Sequence, residues 1–417
     1  DSYREYFPRL ELAVSKFKGW QQVAATMVMQ AASSGSIFIA YSVIAVPLQR
    51  EFEPSRMMLM MALTAALIGS GILSPMLGRT MERVSLRKLM MFGSTLLGLG
   101  FILVSRTQSM AQVQLVYLFM MGTAGVLCGP IAGSALLARW FKKRRGLAMS
   151  LSAAGAALGR LVAPPLLQFL IDALEWRTAL LCYGAGLMLV TLPLIGFFVI
   201  NRPEDISQNS DGVDTQIAQS THHLDNPGLW FYLKDRDFWY LGIVLGLLFA
   251  SSMGITANLL QYVAERGMDA AIGAFLLSMF AAANFVGKLL SGSMADRFNP
   301  KLVLTGIIVL FTLAVFSLGQ FGVYWVFVVA SIVLGISQGA IVPLWGIIMA
   351  RLYGPERVGS SMGMMSLVLT PFNLVAAPMF GLVFDRTGSY VGAYMGCVVL
   401  LALSLVLVAM IREHQPG

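Results

Sequence analysis

Long apolar runs broken by short polar segments dominate this chain. A helix rises about 1.5 Å per residue, so about 20 apolar residues cross a hydrocarbon layer ~30 Å thick. Twelve stretches meet that length, near residues 20–46, 57–77, 88–105, 112–138, 146–172, 178–200, 238–262, 270–294, 301–319, 324–350, 358–384 and 389–411. They predict an all-α membrane protein with twelve transmembrane helices. Residues 1–18 are too polar for a cleavable signal peptide and are expected to form a short amphipathic helix at the membrane surface; without an initiator Met, the start reads as trimmed.

One polar break differs from the rest. Residues 201–237 are rich in Ser, Gln, Asn, Asp and Thr and lack aromatics until Trp230, as expected of a flexible linker. The expected organisation is an N-terminal arm (1–19), a six-helix bundle (20–200), a linker (201–237), a second six-helix bundle (238–411) and a tail (412–417). The halves repeat. At an offset of 213 residues, Gly122 falls on Gly335, Pro130 on Pro343, Trp140 on Tyr353, Arg144 on Arg357, Pro165 on Pro378 and Asp172 on Asp385. With one more residue of offset, Gly78, Glu82 and Arg83 fall on Gly292, Asp296 and Arg297. Parallel repeats of this kind share an axis along the membrane normal and place a site near the midplane between them.

The net charge of +8 is a topology signal rather than a nucleic-acid footprint. Of 29 Lys and Arg residues, only Arg50, Arg56, Arg106, Arg177, Arg266 and Arg386 fall on one side, two lie within spans, and 21 fall on the side of the termini and the linker. The positive-inside rule makes that basic side cytoplasmic, with both termini there and the protein in the cell inner membrane. Cys128, Cys182 and Cys397 all lie in spans, and His222, His223 and His414 all lie outside them. No cluster suits a metal or a disulfide framework, and the two adjacent His residues are expected to be a solvated loop pair. No cofactor is expected. The absence of a nucleophile–base pair and of a phosphate loop argues against an enzyme.

Two charges lie deep in the spans. Arg160 is 14 residues beyond Gly146, about 21 Å from the basic face. Lys288 is eight residues before Asp296, about 12 Å deep. Each costs at least ~2.5 kcal/mol at the membrane centre, so each is expected to face the bundle interior. All 21 Asp and Glu residues fall in loops or near helix ends, leaving the two cations without an intramembrane counter-ion. An anion from outside, a substrate carboxylate above all, answers that need; snorkelling or carbonyl capping is the plainer alternative. Asn373, the repeat partner of Arg160, is expected to face the same space, as are Asn284, Gln338, Asn258, Tyr41, Tyr117, Tyr262 and Trp345. For the aromatics, an interfacial-anchor role competes. Lys288 is the mid-membrane group able to release a proton, so anion binding and its protonation are expected to be linked, giving proton–anion symport; anion exchange is the competing scheme.

The loop motifs carry a family resemblance. Gly78-Arg-Thr-Met-Glu82-Arg83-Val-Ser-Leu-Arg87 and Gly292-Ser-Met-Ala-Asp296-Arg297-Phe-Asn-Pro-Lys301 resemble the G-x-x-x-D-R-x-G-x-R/K signature of the major facilitator superfamily, with Glu82 for Asp and Ser85 for Gly in the first copy. Glycine permits close helix approach, and the acid–Arg pair is expected to tie helix ends at the basic surface as a conformational latch. Trp140-Phe-Lys-Lys-Arg144-Arg145-Gly-Leu-Ala148, continued by Ser152, Gly155 and Gly159, closely resembles the loop and fifth helix of the monocarboxylate-porter group, which includes the bacterial oxalate/formate-type carriers. The entry Lys18-Gly-Trp20 resembles the same group. The resemblance implies carboxylate binding by a basic residue in the eighth helix. The family's Arg is Lys288 here, its companion Asp in the proton-coupled animal carriers is Asn284, and their first-helix Lys corresponds to Val43. The expected function is alternating-access transport of a small organic anion, a monocarboxylate first, by a monomer in membrane lipid. A dicarboxylate exchanger, an efflux carrier of a larger amphipathic compound and a non-transporting anion sensor stay open.

Overall fold

A computed structural model describes residues 17–211, 228 and 230–411. Most of the N-terminal arm, the His222–His223 pair, His414 and the tail lie outside the described residues. Among the described residues are twelve long apolar helices: α1 (Gly19–Phe52), α2 (Met57–Arg83), α3 (Leu86–Val104), α4 (Met110–Trp140), α5 (Arg145–Ala173), α6 (Trp176–Phe198), α7 (Arg236–Glu265), α8 (Ala271–Arg297), α9 (Pro300–Gln320), α10 (Tyr324–Tyr353), α11 (Pro355–Thr387) and α12 (Val391–Met410). Every predicted span is matched by one of them. The described part of the linker adds two short helices, Pro203–Ile206 and Trp230–Lys234. We call the membrane side carrying residues 201–211 the linker face, and the other side the far face.

Small residues decide which helices touch. The predicted stripe on α5 meets α1: a β-carbon added at Gly155 or Gly159 would collide with the carbonyls of Met27 or Ala31. One turn before Gly155, Ser152 accepts from Gln30 at 2.7 Å and donates to Thr26 at 2.8 Å. Close backbone approach is what small residues supply where lipid removes the hydrophobic drive to pack. Two stretches, Gly35–Ile39 in α1 and Tyr117–Met121 in α4, wind as π-helix.

The halves join at the linker-face ends of two helix pairs. A β-carbon at Gly78 of α2 would strike the Gly359 carbonyl of α11; one at Gly146 of α5 would strike the Gly292 carbonyl of α8. The repeat offset exchanges these pairs, so the closure has the pseudo-symmetry of the sequence. Ser74 donates to the Gly363 carbonyl at 2.8 Å, and Ser150 and Ser291 hydroxyls lie 3.5 Å apart. Among the described residues, α1 and its repeat partner α7 share no substantial contact. This conformation is therefore shut at the linker face.

At the far face, each half is pinned by one carboxylate. Glu51 of α1 accepts from Trp176 at 2.9 Å and from Arg177 at 2.5 Å at the start of α6. Glu265 of α7 accepts from the Ser389 hydroxyl and, at 2.9 Å, from the Tyr390 amide at the start of α12. Outside the spans, burial pushes the Tyr390 phenol above its ordinary pKa, so it stays neutral near pH 7.

Candidate functional site

The face of α5 that meets α8 continues from Gly146 and Ser150 through Ala153 and Ala157 to Arg160, steps of three or four residues that keep one side of a helix. On α8, Ser291 and Lys288 share the face turned toward α5. Lys288 lies one turn above the Ser150–Ser291 contact, and Arg160 lies about 15 Å above Ser150 along α5. Lys288 is 7% exposed, buried where the two halves meet. Arg160 is exposed. The two cations act on one another electrostatically across the interface.

Neither cation meets an acid. Arg160 donates from Nε to Ser34 Oγ at 3.3 Å. The Lys288 ammonium has no hydrogen-bond partner among the described residues. Ion pairs among those residues include Arg139–Glu356, Arg177–Glu51 and Arg202–Glu356, all at helix ends or in the linker. Two like charges thus bracket the membrane midplane with their compensation left open.

The other expected residues divide. Asn284, one turn from Lys288, donates to Gln338 Oε1 at 2.8 Å. Gly339 lets α10 ride on the α8 backbone there, against Asn284 and Lys288. Trp345 is 6% exposed, its indole N–H has no acceptor, and its ring lies 6.4 Å from Phe249. Asn373 and Asn258 are half-buried and donate within their own helices, to Leu369 and Gly254 carbonyls. They meet neither cation.

The three tyrosines depart from expectation. Tyr41 and Tyr117 are fully buried inside the first half, their rings 5.1 Å apart, with Tyr41 donating to the Leu59 carbonyl at 2.5 Å. Tyr262 is fully buried in the second half, stacked on Tyr394 at 4.3 Å and donating to the Leu318 carbonyl at 2.6 Å. A helix in a bundle has several buried faces, and these three tyrosines belong to the core of their own half. Tyr117 keeps a buried hydroxyl without a partner, beside the π-helical turn that begins at that residue.

The loop motifs also work differently from expectation. Glu82 and Asp296 do not pair with Arg83 and Arg297, which are exposed. Asp296 accepts the Gly146 and Leu147 amides of the other half at 2.6 and 2.9 Å. Glu82 accepts the Ser360 amide of α11 at 3.2 Å. Each acid therefore caps a helix N-terminus across the interface, where the helix dipole favours negative charge. Arg145 donates to the Phe141 carbonyl at 2.9 Å, and the Arg144 amide goes to Asp211 at 2.9 Å.

Sequence reasoning missed several participants. Arg139 bridges α4 to Glu356 at 3.5 Å and to the Met81 carbonyl at 3.0 Å. Tyr232 meets the Ser360 hydroxyl at 2.5 Å; burial raises its pKa, so it remains a neutral partner. Asp211 also accepts the Lys142 and Lys143 amides. None has a repeat partner to flag it: Arg139 falls on Leu352 at the 213-residue offset.

A membrane bundle of two pseudo-symmetric six-helix halves, closed at one face around paired cations, is the class defined here. The family model described as Major Facilitator Superfamily matches residues 26–368 and 241–417. The chain belongs to that superfamily. It is 27% identical over 285 residues to monocarboxylate transporter 13 of Rattus norvegicus, covering 66% of this chain and 62% of that relative's length. It is 26% identical over 291 residues to the agnestins efflux protein AgnL12 of Paecilomyces divaricatus, covering 67% and 61%. The chain thus spans less than two thirds of these relatives. The similarity to monocarboxylate transporters supports membership of the monocarboxylate-porter group. The fold is similar to that of the E. coli fucose:proton symporter, with a TM-score of 0.72 at 14% identity over 96% of this chain and 100% of that one.

Proposed function

We propose that the protein is an alternating-access secondary transporter of a small organic anion, a monocarboxylate first, bound between Arg160 and Lys288. The observation that carries this reading is the pair of mutually repelling cations on facing helices, without an acidic partner among the described residues. An anion between them supplies the missing charge and stabilises the two halves in contact. Arg160, open to solvent, receives the carboxylate; Lys288, buried where the halves meet, draws it to the depth at which the halves can rock. Asn284 and Gln338 supply neutral polar groups beside Lys288, and Trp345 supplies an unused N–H. Asn373 and Asn258 are secondary candidates on the second half.

Lys288 is also the proposed proton carrier, because a guanidinium does not release its proton in proteins whereas a lysine can. The linker face, with its basic excess, is the cytoplasmic one, and the working unit is a monomer in the inner membrane. A dicarboxylate exchanger is the second reading, since two cations suit two carboxylates. The similarity to a fungal efflux protein supports a larger amphipathic cargo as a third.

A thermal-shift series of mono- and dicarboxylates against purified protein tests the proposal. A cognate anion raises the melting temperature of the wild type, and Arg160→Ala and Lys288→Ala each remove that rise. A rise that persists in both variants overturns the site. Uptake of the same anion into proteoliposomes separates a carrier from a sensor, which binds without accumulating.

A further inference from the structure

Met27, Ala31 and Ser34 follow one another along α1 at steps of four and three residues and so share one face of that helix. The face lies on α5. The Met27 carbonyl leaves no room for a β-carbon at Gly155, and the Ala31 carbonyl leaves none at Gly159. Gly35 is in turn pressed against the backbone of Gly159. Ser34 is the polar residue at the far-face end of this stripe, and Arg160, the neighbour of Gly159, is what it meets. The Arg160 Nε donates to Ser34 Oγ at 3.3 Å.

Three other hydroxyl residues of α1 are committed elsewhere. Thr26 donates to the Gln22 carbonyl at 2.9 Å, Ser42 donates to the Ile39 carbonyl at 2.7 Å, and Ser36 lies 2.7 Å from the Tyr183 hydroxyl of α6. Among the described residues, the Ser34 oxygen meets Arg160 alone. The residue after it begins the π-helical turn Gly35–Ile39, a feature that concentrates at functional sites.

A guanidinium carries five N–H donors and offers a carboxylate two flat edges, Nε with one Nη or the two Nη together. Ser34 occupies the first edge. The Nη groups have no hydrogen-bond partner among the described residues, so the outer edge stays open. Given the anion site between Arg160 and Lys288, on which this inference rests, we propose that Ser34 is a positioning residue for Arg160. By accepting the Nε–H it fixes the plane of the guanidinium, and the carboxylate then docks on the two Nη groups. A long side chain held in place before the anion arrives has less conformational freedom to lose on binding. Ser34 acts through Arg160 and not on the anion.

Formate, the smallest carboxylate, is the probe, titrated against the whole protein in detergent and read by melting temperature. Ser34→Ala is expected to raise the formate concentration needed for half the full rise about tenfold, the lower end of what one hydrogen bond to a charged group supports. Ser34→Cys, close in volume but a weak acceptor, is expected to do the same, and Ser34→Thr, which keeps the oxygen, to bind formate as the wild type does. Added to Arg160→Ala, where Lys288 alone holds formate, Ser34→Ala is expected to cost nothing more, since the partner it acts through is gone. The anion-free melting temperature of each variant reports its fold. No protection of the wild type by formate, or equal protection of Arg160→Ala, overturns the anion site and the role of Ser34 with it. Where the site stands, wild-type affinity in Ser34→Ala or Ser34→Cys overturns the role of Ser34 alone. A further loss on adding Ser34→Ala to Arg160→Ala overturns it too, because Ser34 then acts independently of Arg160.

Discussion

The Asp296 carboxylate, carried by the second half, accepts the amides of both Gly146 and Leu147 in the first turn of a helix of the first half. Its repeat partner, Glu82, accepts one, from Ser360. The two gates are built alike and loaded unequally. Asp296→Ala is therefore expected to favour the state open at the linker face by about 2 kcal/mol, near a thirtyfold change in population. Glu82→Ala is expected to do about half as much in energy. Distances between spin labels at Lys143 and Phe298 report the opening. Matching distance distributions in wild type and Asp296→Ala would remove the carboxylate from the gate.

The glycine pairs make a steric prediction. A side chain at Gly292 has no room beneath the Gly146 carbonyl, so Gly292→Leu is expected to prevent the shut arrangement. Labelling of a cysteine placed at Ser150, buried when the face is shut, should rise severalfold in this background. Unchanged labelling would show that the helices accommodate the side chain and that the contact is not what closes them.

Lys288 is buried without a counter-charge, and removing such a group relieves a cost while removing a site. Lys288→Met is expected to raise the melting temperature of the anion-free protein, by the equivalent of about 1–3 kcal/mol. The same variant should lose the further rise that a carboxylate gives the wild type. A lower anion-free melting temperature would mean that the ammonium has a stabilising partner after all.

Asp211 holds the α4–α5 turn by accepting three successive amides, those of Lys142, Lys143 and Arg144. Asp211→Ala is expected to destabilise that turn by about 1–2 kcal/mol. Amide hydrogen exchange over 142–148 should quicken about tenfold, while α9 and α12, remote from the turn, keep their wild-type rates. Exchange unchanged at 142–148 would assign the cap to other groups.

Twelve spans and the relation between halves were legible because each follows from local composition. A helix long and apolar enough to cross a membrane needs no knowledge of its neighbours, and the repeat offset, 213 residues for Gly146 and Gly359 and 214 for Gly78 and Gly292, matches Gly78–Gly359 to its counterpart Gly292–Gly146. Arg160 and Lys288 were legible for a related reason: a charge in an apolar run is costly wherever its helix lies. Tyr41, Tyr117 and Tyr262 were not, because a buried aromatic has the same sequence signature whether it faces its own bundle or the other half.

The chain alone determined that two like repeats lie in the membrane and that the second half contributes Lys288 and the first Arg160, since both rest on hydrophobicity and position. Only the tertiary structure decided that Lys288 is buried while Arg160 is exposed, and that Glu82 and Asp296 cap helices across the interface instead of pairing with their neighbouring arginines. Those outcomes depend on which backbone amides lie within hydrogen-bond reach after two halves meet, and residues 150 positions apart, such as Gly146 and Asp296, leave no trace of that distance in the order of the letters.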